Sequence, residues 1–168
     1  FPSDRIVSGG VPRDGIPALT NPSFVSSGSI AYLDDDDLVL GVVHDGEARA
    51  YPHNFGWWHE IVNDRIGDHA ISVTFCPLTG TGLVFDTNGE DGEQFQLGVS
   101  GLLYNSNLVL YDRRDRSTLY PQIYATGVDG PRQGESLTLL PVVETTWAAW
   151  KTLYPDTGVI ESGSYLLS

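Results

Sequence analysis

From residue 38 onward, short apolar runs alternate with turn residues at intervals too brief for long helices, and this pattern predicts β-strands. Segments 38–43 and 47–51 flank Asp45-Gly46, a dipeptide suited to a type I′ turn, and read as a hairpin. Segments 58–64 and 70–76 follow as two more strands about a turn at Gly67-Asp68. Residues 82–86 form another, closed by the polar loop TNGEDGE. Segments 95–99 and 102–104 lead into the Asn105-Ser106-Asn107 turn, and 108–112 returns. Short strands with frequent turns favour an antiparallel barrel or sandwich over a βαβ fold. One helix is expected near the end. Thr145 or Thr146 can cap it, Trp147, Trp150 and Tyr154 share one face, and Pro155 stops it. The two Trp of this helix are read as packing anchors.

The expected fold class is therefore mainly β, with one or two short helices: an antiparallel barrel-like sheet with a C-terminal helix, in one domain. Residues 1–30 read as an extended Gly/Pro-rich arm, 31–143 as the β core, 144–155 as the helix and 156–168 as a tail. The acidic run Asp34 to Asp37 lacks the alternating spacing and the Gly of a calcium loop, so it is read as a solvated turn.

Charge changes this picture more than composition does. The 168 residues hold 22 acidic and 9 basic side chains, a net charge of -13, and Lys151 is the only lysine. Such a surface repels phosphate backbones, which argues against a nucleic-acid partner. It also suggests adaptation to high salt, where screening removes the self-repulsion. No apolar run approaches the roughly 18 residues needed to span a bilayer. Methionine is absent, including at position 1, and the expectation drawn is an exported, extracellular or cell-surface chain whose signal has been removed. The single cysteine excludes an internal disulfide.

The densest chemistry lies between Trp57 and Gly82. In a strand over 70–76, Ile71, Val73 and Phe75 share one face, and Ser72, Thr74 and Cys76 the other. Cys76 thus falls on the polar side, at a strand end before a Thr-Gly-Thr-Gly turn, a position that suits a reactive thiolate, a metal ligand or an inert half-buried thiol. If its segment is extended, His59 shares a face with Ile61 and Asn63, and Glu60 with Val62 and Asp64. The HExxH pattern is missing, because the fourth residue after His59 is Asn63. Glu60 and Asp64 could pair as carboxylates. His53, His59 and Cys76 would make a soft-ligand set for copper or zinc, though without close ligand spacing. His44 and His69 are expected to face solvent. A second polar-rich stretch places Tyr104, Asn105, Asp112 and Gln122 in an apolar context, as a ligand pocket or a structural hydrogen-bond network. Arg113, Arg114 and Arg116 are expected to pair with Asp112 and Asp115, an anionic ligand being the alternative.

These stretches resemble the domain-of-unknown-function family numbered 3179, found in bacteria and archaea. The matching pieces are DGIP at Asp14 to Pro17, ARAYP at Ala48 to Pro52, HEIVND at His59 to Asp64, CPLTGTG at Cys76 to Gly82, SGLLYNSNLVLYDR at Ser100 to Arg113, and the WAAW segment. Some relatives carry a second Cys where this chain has Thr79, and a Trp where it has Tyr120, so no Cys-x-x-Cys redox pair exists here. The resemblance implies no settled activity. It does imply export, since relatives often carry export or lipid-attachment signals.

Three functional classes follow. In the first, a metal- or thiol-dependent site uses Cys76 and His59, supported by Glu60 or Asp64. In the second, a binding module uses Tyr104, Asn105, Asp112 and Gln122. In the third, a structural subunit of a cell-surface assembly self-associates through the N-terminal arm.

Overall fold

Three short strands open the chain: β1 (Val7–Ser8), β2 (Leu19–Thr20) and β3 (Phe24–Ser26). The computed structural model describes residues 1–163. The expected hairpin follows as β4 (Leu38–His44) and β5 (Glu47–Pro52), and both turn residues have positive φ, 47° at Asp45 and 79° at Gly46, as a type I′ turn requires. A short helix, α1 (His53–His59), then leads into β6 (Ile61–Ile66), β7 (His69–Cys76) and β8 (Thr81–Asp86). Next come β9 (Leu97–Tyr104), β10 (Asn107–Asp112), β11 (Leu119–Pro121), β12 (Thr138–Leu140) and β13 (Val143–Thr146). The chain continues with α2 (Trp147–Leu153) and β14 (Gly158–Ile160). Two 3-10 turns lie at Ser3–Arg5 and Ser27–Ser29.

The strands form three open sheets, not one closed barrel. The front sheet has the order β1-β9-β10-β11, the middle sheet β12-β8-β7-β6-β2 and the back sheet β13-β4-β5-β14-β3. Pairing is antiparallel except between β2 and β6 and between β5 and β14. The arm is stitched into all three sheets through β1, β2 and β3. Of the expected tail, residues 158–160 are a strand of the back sheet, and 164–168 lie outside the described residues.

Burial explains the stacking. Val62, Ile71, Val73, Phe75 and Val84 of the middle sheet pack against Leu40, Val42 and Tyr51 of the back sheet. Ile61, Cys76 and Phe85 point the other way, to Val99, Leu108, Leu110 and Tyr120 of the front sheet. The middle sheet is therefore covered on both faces. Each fully buried aliphatic or Phe side chain contributes about 1.5–3 kcal/mol of hydrophobic stabilisation. On the outer side of the back sheet, α2 lays Trp147 and Trp150 on Val39, Ala50 and Val159. Gly41 is required there, because a Cβ would stand 2.3 Å from the Trp150 ring. Thr146 caps α2 by accepting from the Ala149 amide, as the sequence anticipated. The acidic turn completes the cap, since the carbonyls of Asp37 and Asp35 accept from the Trp147 and Ala148 amides.

Candidate functional site

The hydroxyl residues of β7 do not meet water. Ser72 and Thr74 are 0% exposed and belong to a hydrogen-bonded layer between the middle and front sheets. Asn63 Oδ1 accepts from Ser72 Oγ at 2.6 Å and from the Leu97 amide at 3.0 Å, while its Nδ2 donates to the Leu97 carbonyl at 2.9 Å. Gln122 Nε2 donates to Thr74 Oγ1 at 2.8 Å, and Gln122 Oε1 accepts from Asn107 Nδ2 at 2.7 Å. Every one of these buried groups has a partner, so the layer fixes sheet register. Gln122 belongs to this structural network.

Cys76 closes the same layer. It is 1% exposed, packs with Ile61, Phe85 and Leu108, and its Sγ donates to the Ser106 carbonyl at 3.6 Å. It sits as a small buried hydrophobe does. Iodoacetamide is accordingly expected to label native Cys76 at least ~100-fold more slowly than the urea-unfolded chain, because reaction awaits local opening. Comparable rates would reveal an open, reactive thiol.

His59 is not on a strand: it is the last residue of α1, 4% exposed, and donates its Nδ1–H to the Pro17 carbonyl at 2.8 Å. Among the described residues no three of His, Cys, Asp and Glu form a group able to hold a metal ion, so His53, His59 and Cys76 are not brought together as a copper or zinc set. Asp64 turns to the back sheet, where its Oδ2 accepts from Arg49 at 2.8 Å and from Tyr51 Oη at 2.6 Å. Asp112, 0% exposed, is held by Arg114 at 2.6 Å. Asn105 lies at the opposite end of β10, in the turn to β9, and Tyr104 packs against Phe1 with the rings tilted by 47° and centroids 4.5 Å apart. The four residues expected to form a pocket thus do not converge. A groove of about 630 Å³ runs beside Arg114 and Arg132. Both guanidiniums already face Glu135 and Asp112, so neither is left over for an anion. Of the three arginines expected to pair with Asp112 and Asp115, Arg114 holds Asp112, whereas Arg116 lies 4.0 Å from Asp14 and Arg113 donates to Thr20 and Gln96. His44 and His69 are half-buried and stack on each other, centroids 4.2 Å apart, in place of facing solvent.

What remains is built on α1. Pro52 at φ -64° turns the chain off β5, and Phe55, 0% exposed, anchors the helix in the core. Gly56 lets the helix lie on Phe75, where a Cβ would stand 2.7 Å from the ring. The helix ends abruptly at Glu60, whose amide bonds back to the Gly56 carbonyl while its own carbonyl accepts from the Phe75 amide at 2.7 Å. Those two bonds hold Glu60 at φ 58° and ψ -31°, left-handed backbone where helices ordinarily place Gly.

The inner face of α1 closes a slot between the middle and back sheets. Leu40, Tyr51, Val62, Val73 and Phe75 line it with His53 and Glu60, and it leaves about 10 Å³, near the space of one water. Burial in this apolar setting raises the Glu60 carboxyl from 4.5 to about 6. Burial likewise lowers His53, against the opposing pull of Glu144 at 3.8 Å. His53 Nε2 is buried without a hydrogen-bond partner. The outer face of α1 borders an open groove of about 700 Å³ lined by Asp36, Asp37, Leu38, His53, Asn54, Trp57 and Trp58. Among the described residues, His53 alone belongs to both slot and groove. Trp57 and Trp58 are 59% and 71% exposed.

The sequence offered Glu60 as a carboxylate supporting Cys76 and His59 or paired with Asp64, and His53 as a metal ligand; the structure instead sets the two together in the slot. Trp57 and Trp58 as exposed walls were missed. The strand expected over 58–64 took in Trp58 alone of the pair, and no element was expected over 53–57, where the structure has α1.

The family model described as "Protein of unknown function (DUF3179)" matches residues 13–165. No curated protein and no solved structure matches the chain.

Proposed function

The chain belongs to the DUF3179 family, a membership that brings no chemistry with it, and we propose from the site alone that it is a small-ligand-binding domain whose site is built on α1. In this reading Glu60 is the proton-holding group and His53 connects it to the groove. One observation carries the reading: Glu60 is held against its own stability twice over. Its backbone occupies a strained left-handed conformation and its carboxyl sits in an apolar slot. Residues kept under such strain cluster at functional sites. A carboxyl that titrates near 6 changes from hydrogen-bond donor to acceptor close to neutrality, which suits a ligand contact that senses or moves a proton. A groove of several hundred Å³ beside it is the size of a small-molecule site.

The test needs no ligand. Because the folded-state value lies above that of the unfolded chain, protonation of Glu60 favours folding. That contribution is full below about pH 4.5 and is lost as pH rises through about 6. Glu60→Gln is therefore expected to stabilise the protein at pH 8 by about 1 kcal/mol after solvent screening, and to match wild type at pH 4.5. Glu60→Gly also relieves the backbone, for a gain of about 2 kcal/mol at pH 8. Urea unfolding at the two pH values reads both. A loss of stability in both variants at pH 8 would make Glu60 a structural residue and end this reading.

A further inference from the structure

Resting on that reading, we infer that the groove along the outer face of α1 takes an organic cation, an alkylated ammonium head group held against Trp57 and Trp58 with Asp36 and Asp37 as its counter-charges. The aromatic contribution comes first. Adjacent helical residues point about 100° apart, so the two indoles form two walls of an open corner instead of one stacked surface. Trp57 is braced from behind by Phe75, ring centroids 6.2 Å apart in an edge-on arrangement. Two large rings left more than half exposed on a seven-residue helix are costly to display in water unless something covers them. Indole faces attract cations more strongly than any other side-chain ring.

Charge selects the occupant. No Arg or Lys is among the described residues lining the groove, whereas Asp36 and Asp37 are. Lys151, which does not line the groove, has its charge taken up by Asp35 at 3.0 Å and by the Trp147 ring. His53 resists protonation because of its burial, so it adds no opposing charge near neutrality. Glu144 stands 3.8 Å behind it. The chain's net charge of -13 reinforces the local potential and draws cations from a distance. A phosphate or carboxylate ligand would meet carboxylates with nothing to offset them. A neutral polyol could stack on the rings but would gain nothing from the acids. Asn54, also in the lining, offers a hydrogen bond to a hydroxyl or carbonyl carried on the cation.

The experiment is calorimetric titration of the whole chain with choline and with 3,3-dimethyl-1-butanol, the neutral isostere in which carbon replaces the ammonium nitrogen, at one fixed KCl concentration. Choline is expected to bind at least tenfold more tightly than the isostere, the ratio that cation–π and carboxylate contacts of this kind supply. Trp58→Ala, at an exposed position that leaves the fold intact, and the pair Asp36→Asn with Asp37→Asn should each bring choline down to the isostere's affinity. Cys76→Ser should change neither. Equal affinity for the two probes would overturn the cation assignment while leaving a ligand-binding groove in place. Binding of neither probe would also overturn it, and the Glu60 stability measurements would then decide separately whether α1 carries a site at all.

Discussion

Asp112→Ala is expected to lower stability by about 4 kcal/mol in urea unfolding at pH 7. The carboxylate is 0% exposed and accepts from the Arg114 amide, Nε and Nη2 at 2.9, 3.0 and 2.6 Å, with Arg132 Nε at 3.7 Å. Arg114 is itself only 11% exposed and stacks on Phe95 with 3.8 Å from Cζ to the ring centroid. Removing the carboxylate leaves that guanidinium enclosed, with Glu135 at 3.3 Å as its remaining partner. Truncating one side of a buried pair is far more damaging than the pair's net worth, because the surviving charge stays desolvated. Asp112→Asn keeps the shape and part of the hydrogen bonding, and should be less damaging. A loss below 1 kcal/mol for the Ala variant would return Asp112 to the list of ligand-binding candidates.

The second large effect is expected at Asp64, whose change to Ala should cost about 3 kcal/mol, or a fall in Tm of about 9 °C for a chain of this length. Asp64 joins the middle sheet to the back sheet through Arg49 at 2.8 Å and Tyr51 Oη at 2.6 Å. Arg49 has further contacts, with Glu47 at 2.8 Å, the Arg65 carbonyl at 2.8 Å and the face of Phe24, and these moderate the damage. Calorimetry of Asp64→Ala, Tyr51→Phe and the double variant separates the partners, with a coupling of at least ~1 kcal/mol expected for groups sharing one network. Additive losses would mean that the two side chains act independently. Either large effect assigns its residue to architecture, which narrows the chemistry to α1.

The hairpin at 38–51 was legible because Asp45-Gly46 selects its own turn, and the faces of β7 because alternation has a strict period of two. The consequence of that alternation was not legible. Ser72 and Thr74 look like solvent-facing residues, yet their facing side is the front sheet; for Thr74 the partner is Gln122, 48 residues away. Nothing local distinguishes water from a distant amide. Helix α1 was hidden for a different reason. Seven residues give fewer than two full turns of periodicity, and only Phe55 and His59 are buried. Reading residues 58–64 as extended put Glu60 on a face with Val62 and Asp64, opposite His59, whereas the end of the helix turns it into the slot with His53. Strands of two to four residues, such as β2, β12 and β14, arise from tertiary pairing that overrides local preference. The acidic composition fixed the sign of the field around the molecule but not where it is used.

The position of β14 has a consequence for how the molecule is made. It lies inside the back sheet, parallel to β5 on one side and antiparallel to β3 on the other, and among the described residues β3 pairs with no other strand. A polypeptide synthesised or translocated from its N-terminus therefore carries β3 as an unpaired segment until residues 158–160 arrive, more than 130 positions later. Contacts of such sequence separation are slow to form and leave a strand edge open in the interval. Residues 24–160 must thus all be delivered before the back sheet can close, so the nascent form keeps an open strand edge that a holding chaperone can cover.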